Sequence, residues 1–144
     1  MPTRTAEAEW EGNLAEGRGN LKVGSGAFEG PYSFKSRFEE GESATNPEEL
    51  LGAAHAGCFT MALTAQLSRA HITLKRIQTK ASVKLEKIGE AFTITQIDLE
   101  TEAEIPGIDD ATFQQYAQGA KENCPLSKAL ASVPINLTAK LTTT

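Results

Sequence analysis

The spacing of apolar and polar positions divides the chain into strand-like and helix-like stretches. Residues 6–11 (AEAEWE) alternate small or apolar with acidic side chains; GRGN then turns the chain into LKVG, and GSG marks a second turn. In PYSFKSRF, Tyr32, Phe34, Ser36 and Phe38 fall on one face and Ser33, Lys35 and Arg37 on the other. That period of two predicts a half-buried strand with Arg37 on its polar side. The period changes in TNPEELLGAAHAGCFTMALTAQLSRAH. Thr45 or Asn46 can cap a helix, Pro47 suits its first position, and Glu48 and Glu49 put negative charge at the positive end of the helix dipole. Leu50, Leu51, Ala54, Cys58, Met61, Ala62, Ala65 and Leu67 recur at near-helical spacing, and few charges interrupt the run, which predicts a helix buried on most sides. Gly52 and Gly57 inside that helix cost about 1 kcal/mol each relative to alanine. Close approach of another backbone, such as a second copy of the same helix, would compensate.

Residues 77–87 (IQTKASVKLEK) alternate cleanly, with Ile77, Thr79, Ala81, Val83 and Leu85 inward and Lys80 and Lys84 outward. IGE makes a hairpin turn, and residues 91–105 return as a second long strand. Its inward set changes phase between Ile94 and Ile97, which predicts a bulge. PGIDDATFQQYAQGAKENCPLSKAL reads as a second helix, capped by Asp109 or Asp110, with an apolar stripe of Phe113, Tyr116, Ala117 and Ala120, and stopped or kinked by Pro125. PINLTAKL closes the chain as a strand. The order βββ-α-ββ-α-β predicts an α+β fold with two antiparallel sheets around two buried helices. No linker, repeat or low-complexity run interrupts residues 1–144, which reads as a single domain.

Composition narrows the function. The 144 residues carry 14 Lys+Arg against 19 Asp+Glu, a formal charge of −5, with an isoelectric point near 5.1. That balance argues against a nucleic-acid binder, which needs a basic stripe. The longest apolar stretches read as shorter than the roughly 18 residues of a membrane span. The first ten residues, MPTRTAEAEW, lack the apolar middle of a secretory signal, so the expected location is cytoplasmic, away from membranes. In a reducing compartment the two cysteines, Cys58 and Cys124, are either packing residues or redox groups rather than a static staple.

Cys58 lies well inside the apolar helix. A thiol there stays protonated unless a cation is near, so the redox reading needs a positive partner. Arg37 is the first candidate, because a guanidinium stays charged at any working pH and its fork can face a thiolate with one edge and a carboxylate with another; a solvated strand arginine is the plain alternative. Arg18, in the GRGN turn, competes for the same task. Glu48 or Glu49 can orient the arginine, although both suit a first helical turn on structural grounds alone. Ten residues separate Glu48 from Cys58, about 15 Å along a straight helix. The arginine must span the gap, the helix must start irregularly, or a second subunit must supply a partner, and an obligate homodimer with interfacial sites follows as the expectation. Cys124, at a helix end before Pro125, suits a resolving cysteine, if the Cα atoms come within about 7 Å. His55, three residues before Cys58, permits either a Cys–His nucleophile pair or a packed neutral histidine. His71 follows the helix, where it caps or faces solvent. The Cys and His spacings match no common zinc pattern.

TNPEELLGAAHAGCFTMAL around Cys58, NCPLSKAL around Cys124 and FKSRFEEG around Arg37 together resemble the OsmC/Ohr family, the osmotically inducible protein C and organic hydroperoxide resistance proteins. The order of elements agrees along nearly the whole chain, and GAAHAGC is closer to the OsmC branch. The resemblance implies a thiol peroxidase acting on organic hydroperoxides in oxidative or osmotic stress defence, folded as an intertwined homodimer without metal or bound cofactor. Carried over by position, Cys58 is the peroxidatic cysteine, Cys124 the resolving one, Arg37 activates the thiolate and Glu48 holds the arginine. A lipoyl-type dithiol or a small thiol would return the disulfide to thiols. Leu50, Leu51, Phe59 and Met61 would offer an apolar pocket for the substrate. Two other readings stay open on the residues alone: a cysteine hydrolase using Cys58 and His55, and a non-catalytic, stress-related binding protein with structural cysteines.

Overall fold

The computed structural model describes residues 2–142, which divide into two compact units, one up to Leu50 and one from Leu51. The first unit holds strands β1 (Ala6–Glu11), β2 (Arg18–Val23) and β3 (Glu29–Tyr32) as an antiparallel meander. The Trp10 and Tyr32 rings meet edge to face at 5.6 Å across Gly19. A Cβ at Gly19 would collide with both rings. Among the described residues, none of the fully buried apolar side chains comes from this unit; Leu14, Phe28 and Phe34 stay exposed in part.

Residues 34–38 are not a strand. They form a short helix, α1 (Phe34–Phe38), so Arg37 sits on a helix rather than on a strand's polar side. Ser33 and Ser36 satisfy each other's backbone N–H groups in a reciprocal capping box, which outweighs the alternation of the sequence. Phe34 and Phe38, four apart, then stack one turn from each other with centroids 4.9 Å apart. Arg18 likewise lies in β2 instead of a turn; its side chain is 84% exposed and reaches Glu11 at 3.8 Å.

The long helix α2 (Pro47–Arg69) starts as its sequence predicts. Asn46 Oδ1 accepts from the Glu49 N–H at 2.7 Å, and Pro47 opens the first turn. It ends in a Schellman motif: the Ile72 N–H reaches the Leu67 carbonyl, the His71 N–H reaches that of Ser68, and His71 takes a left-handed φ of 58°. His71 itself is exposed. The expectation of burial on most sides fails. One stripe, Gly52, His55, Phe59, Leu63 and Leu67, is buried, while Ala53, Ala54, Gly57 and Met61 are exposed. An 18-residue window of α2 has mean hydropathy 1.2, long and apolar enough for a membrane span, contrary to the sequence reading. Alanine, leucine and phenylalanine outweigh the interspersed Gly, His, Thr and Gln, and only the Phe59–Leu63–Leu67 stripe packs into the core.

In the second unit β4 (Arg76–Ile88) and β5 (Ala91–Glu104) form the predicted hairpin around Gly89, at φ 62°. The register slips where Leu85 pairs with Ile94 and Lys84 with Gln96, leaving Thr95 as the bulged residue. β6 (Ile135–Thr142) joins β5 in parallel, so the order is β4-β5-β6 and this sheet is mixed, not antiparallel. The connection through α3 (Asp110–Asn123) and α4 (Pro125–Ala129) is a crossover long enough to carry the chain back to the end where β5 begins, so that β6 runs in the same direction. Asp109 caps α3 by accepting from the Thr112 N–H. Phe59, Leu63 and Leu67 of α2, Phe113 and Ala120 of α3, and Ile97, Leu99, Ala103 and Ile105 form one core. Gly52 faces Val83 and Ala81 of β4, whereas Gly57 meets nothing.

Candidate active site

Cys58 and Cys124 are both free, and their sulfurs lie 2.7 Å apart. They stand 66 positions apart in sequence. The core places them: the stripe that buries Phe59 turns Cys58 toward the end of α3, where Pro125 cannot continue the hydrogen-bond ladder and Cys124 becomes the junction with α4. Cys124 is fully buried and Cys58 partly so.

Burial pushes the Cys58 thiol above its ordinary pKa, and the adjacent Cys124 sulfur acts in the same direction. The backbone N–H of Leu126 opposes both by donating to the Cys58 sulfur. The sequence pattern around Cys124 contained this amide, but nothing in a side-chain motif marks a backbone donor. A thiol in this setting needs further positive charge to ionise readily.

Arg37 and Glu48 form a bidentate pair within the first unit: Nε donates to Oε1 at 2.8 Å and Nη2 to Oε2 at 3.0 Å. Glu48 is largely buried, while the Arg37 side chain is 40% exposed. Glu49 has a different task, accepting from Thr45 Oγ1 at 2.9 Å. The two carboxylates that the sequence left interchangeable thus separate, one on the guanidinium and one on the cap.

His55 is fully buried, and its Nε2 lies 2.8 Å from Ser127 Oγ. Nδ1 has no partner. Neither ring nitrogen bonds Cys58, so the Cys–His hydrolase arrangement is not formed. A buried N–H without an acceptor costs about 1–3 kcal/mol, more than an unused lone pair, which favours the tautomer with Nε2–H donating to Ser127. Desolvation lowers the pKa of His55, which favours the neutral ring. Sequence reasoning passed over Ser127, whose only signal was its place three residues after Cys124. The expected apolar pocket is not assembled either: Phe59 is 0% exposed in the core, and Met61, nearly opposite it on α2, is 76% exposed. Among the described residues no group of three or more His, Cys, Asp or Glu is arranged to hold a metal ion.

The arrangement defines a class: an α+β domain carrying two adjacent free thiols, one inside a long helix and one at a helix junction. The family model for OsmC-like proteins matches residues 40–138, and the chain belongs to that family. It is 47% identical over 128 residues to peroxiredoxin OsmC of Escherichia coli (strain K12), covering 88% of this chain and 89% of that protein. It is 32% identical over 90 residues to an organic hydroperoxide resistance protein of Xanthomonas axonopodis pv. citri (strain 306), covering 62% and 61% respectively. These identities favour the OsmC branch. Among solved structures, an organic hydroperoxide resistance protein from Elizabethkingia anophelis superposes with a TM-score of 0.77 at 25% identity, covering 98% of this chain and 99% of the other.

Proposed function

We propose that this protein is a cysteine-based thiol peroxidase that reduces organic hydroperoxides to alcohols. The observation that carries the reading is the contact between two free sulfurs from distant parts of the sequence. Its similarity to peroxiredoxin OsmC and to organic hydroperoxide resistance proteins supports the same chemistry. The Cys58 thiolate attacks the distal peroxide oxygen, the O–O bond breaks, and the alkoxide leaves to be protonated. Cys58 becomes a sulfenic acid. Cys124 displaces its oxygen as water and forms the disulfide, which an external dithiol reduces by exchange. A lipoyl-type dithiol or a small thiol is the proposed reductant, and the location is cytoplasmic.

Arg37, held by Glu48, is the proposed source of positive charge for the thiolate, delivered within an intertwined homodimer. Residues 1–144 act as one catalytic domain in that assembly. Two features support a second copy: among the described residues the first unit contributes no fully buried apolar side chain, and α2 exposes Met61 beside Gly57. A three-stranded meander without an apolar core of its own is marginal in water. No nucleic acid, membrane, metal or bound cofactor enters the reaction as proposed. The protein would serve defence against oxidative or osmotic stress.

Rapid mixing of the reduced protein with excess cumene hydroperoxide, followed by thiol counting, tests the reading. Fast loss of both thiols to an intramolecular disulfide is expected. Two intact thiols after minutes would overturn it.

A further inference from the structure

Beside Cys58 and Cys124 the second unit holds a buried polar contact with no part in the peroxide chemistry. His55 and Ser127 meet at 2.8 Å, both buried, 72 positions apart in sequence. Their placement mirrors that of the thiols. His55 lies one helical turn before Cys58 on α2, and Ser127 lies three residues after Cys124 on α4. Two contacts therefore run side by side between the same two segments, sulfur to sulfur and imidazole to hydroxyl.

The segment that carries Cys124 has little to hold it by itself. α4 spans five residues, and Cys124 caps it with no side-chain hydrogen bond. One turn of helix is not self-supporting in water. Pro125 removes an N–H that could have tied α4 to α3. The imidazole–hydroxyl contact ties this segment to α2 without involving either sulfur. It also comes with an unpaired Nδ1, where an apolar pair of similar shape would leave no orphan.

We propose that His55 and Ser127 are positioning residues for the resolving step, holding Cys124 against Cys58 and the Leu126 amide at the Cys58 sulfur; the inference rests on the peroxidase reading only for its biological use. When the Cys124 sulfur attacks the sulfenic sulfur of Cys58, the S–S bond forms, the S–O bond breaks, and the oxygen leaves as water with the thiol proton. The organic hydroperoxide is the oxidant. A pre-set approach removes the entropy of bringing the sulfurs together, so the clamp favours disulfide over dithiol at equilibrium and over further oxidation of Cys58 in time.

The test is the reduction potential of the Cys58–Cys124 pair, measured by equilibrating the full chain in mixtures of reduced and oxidised dithiothreitol, a readout that needs no peroxide. Ser127→Ala is expected to lower the disulfide equilibrium constant roughly tenfold, a potential about 30 mV less negative, and Ser127→Thr to restore it. His55→Leu breaks the contact from the other side and should give the same shift. In a second measurement, mass spectrometry after a pulse of cumene hydroperoxide should show more sulfinic Cys58 in Ser127→Ala than in the parent. A parental potential in either folded variant overturns the proposal, as does an equal shift in Ser127→Ala and Ser127→Thr. If the parent protein ignores cumene hydroperoxide, the peroxidase reading falls, while the dithiothreitol equilibrium still decides the clamp.

Discussion

Glu48 grips one edge of the Arg37 guanidinium, binding Nε and Nη2 through its two carboxylate oxygens and leaving the Nη1 edge outside the pair. The fork is what makes this possible: a lysine ammonium cannot bind both oxygens in one plane and still present an oriented donor elsewhere. If the free edge serves the thiolate, Arg37→Lys should slow oxidation of Cys58 by organic hydroperoxide. Loss of a charge-assisted hydrogen bond worth about 1.5–3 kcal/mol corresponds to roughly ten- to a hundredfold in rate. Glu48→Gln keeps the shape but loses the charge and should slow the reaction less. Stopped-flow oxidation of the reduced protein measures both. An unchanged rate in Arg37→Lys would remove the guanidinium from the mechanism.

Cys124→Ser separates the two chemical steps. With no resolving sulfur, the Cys58 sulfenic acid should persist and be trapped by dimedone; at higher peroxide it should gain a further oxygen. The site is fully buried, so the hydroxyl also costs about 1–3 kcal/mol of stability, read as a lower urea midpoint. Dimedone labelling equal to that of the parent would show that Cys124 does not resolve the intermediate.

Much of this site was legible in the sequence, and the parts that were not share a cause. Pro47, the first-turn glutamates and the Asp109 cap are local signals, and each lands where the pattern puts it. The phase change near Ile94 marked the Thr95 bulge because side-chain period reports pairing directly. Periodicity carries no direction, however, so β6 reads the same whether parallel or antiparallel. In residues 33–38, alternation of aromatics pointed to a strand, while two serines three apart could cap each other and make a turn of helix. The pairing of Arg37 with a first-turn glutamate could be expected all the same, since a guanidinium seeks a carboxylate from either kind of element. The meeting of Cys58 with Cys124 could be expected only through family resemblance, because no spacing rule joins residues 66 positions apart. Ser127 and the Leu126 amide were invisible for that reason as well.

The buried imidazole makes stability depend on acid. The folded pKa of His55 lies below its unfolded value of about 6.5. The unfolded chain therefore takes up a proton in mildly acidic solution that the folded chain refuses. Stability from this group is fully present above about pH 6.5 and is lost as the pH falls toward the folded value. Urea midpoints between pH 7.5 and 5 should decline in the parent protein. In His55→Leu the decline should be shallower, even though its midpoint at pH 7.5 is lower. Parallel curves would mean that the acid sensitivity arises elsewhere.

The two glycines of α2 give opposite predictions. A Cβ at Gly52 would stand 3.4 Å from Val83 Cγ2 and 3.7 Å from the Ala81 Cβ, ordinary packing distances. Gly52→Ala should therefore fold and gain up to about 1 kcal/mol from helix propensity. At Gly57 a Cβ meets nothing within 4 Å, so a lone chain would accept almost any side chain there. An exposed glycine next to a 76% exposed Met61 makes sense if a second backbone lies close. Gly57→Leu should then shift the mass in sedimentation equilibrium from two chains toward one at micromolar concentration, while Gly52→Ala leaves it unchanged. A Gly57→Leu protein that stays dimeric would put the interface on another face, and a parent protein that sediments as one chain would overturn the homodimer itself.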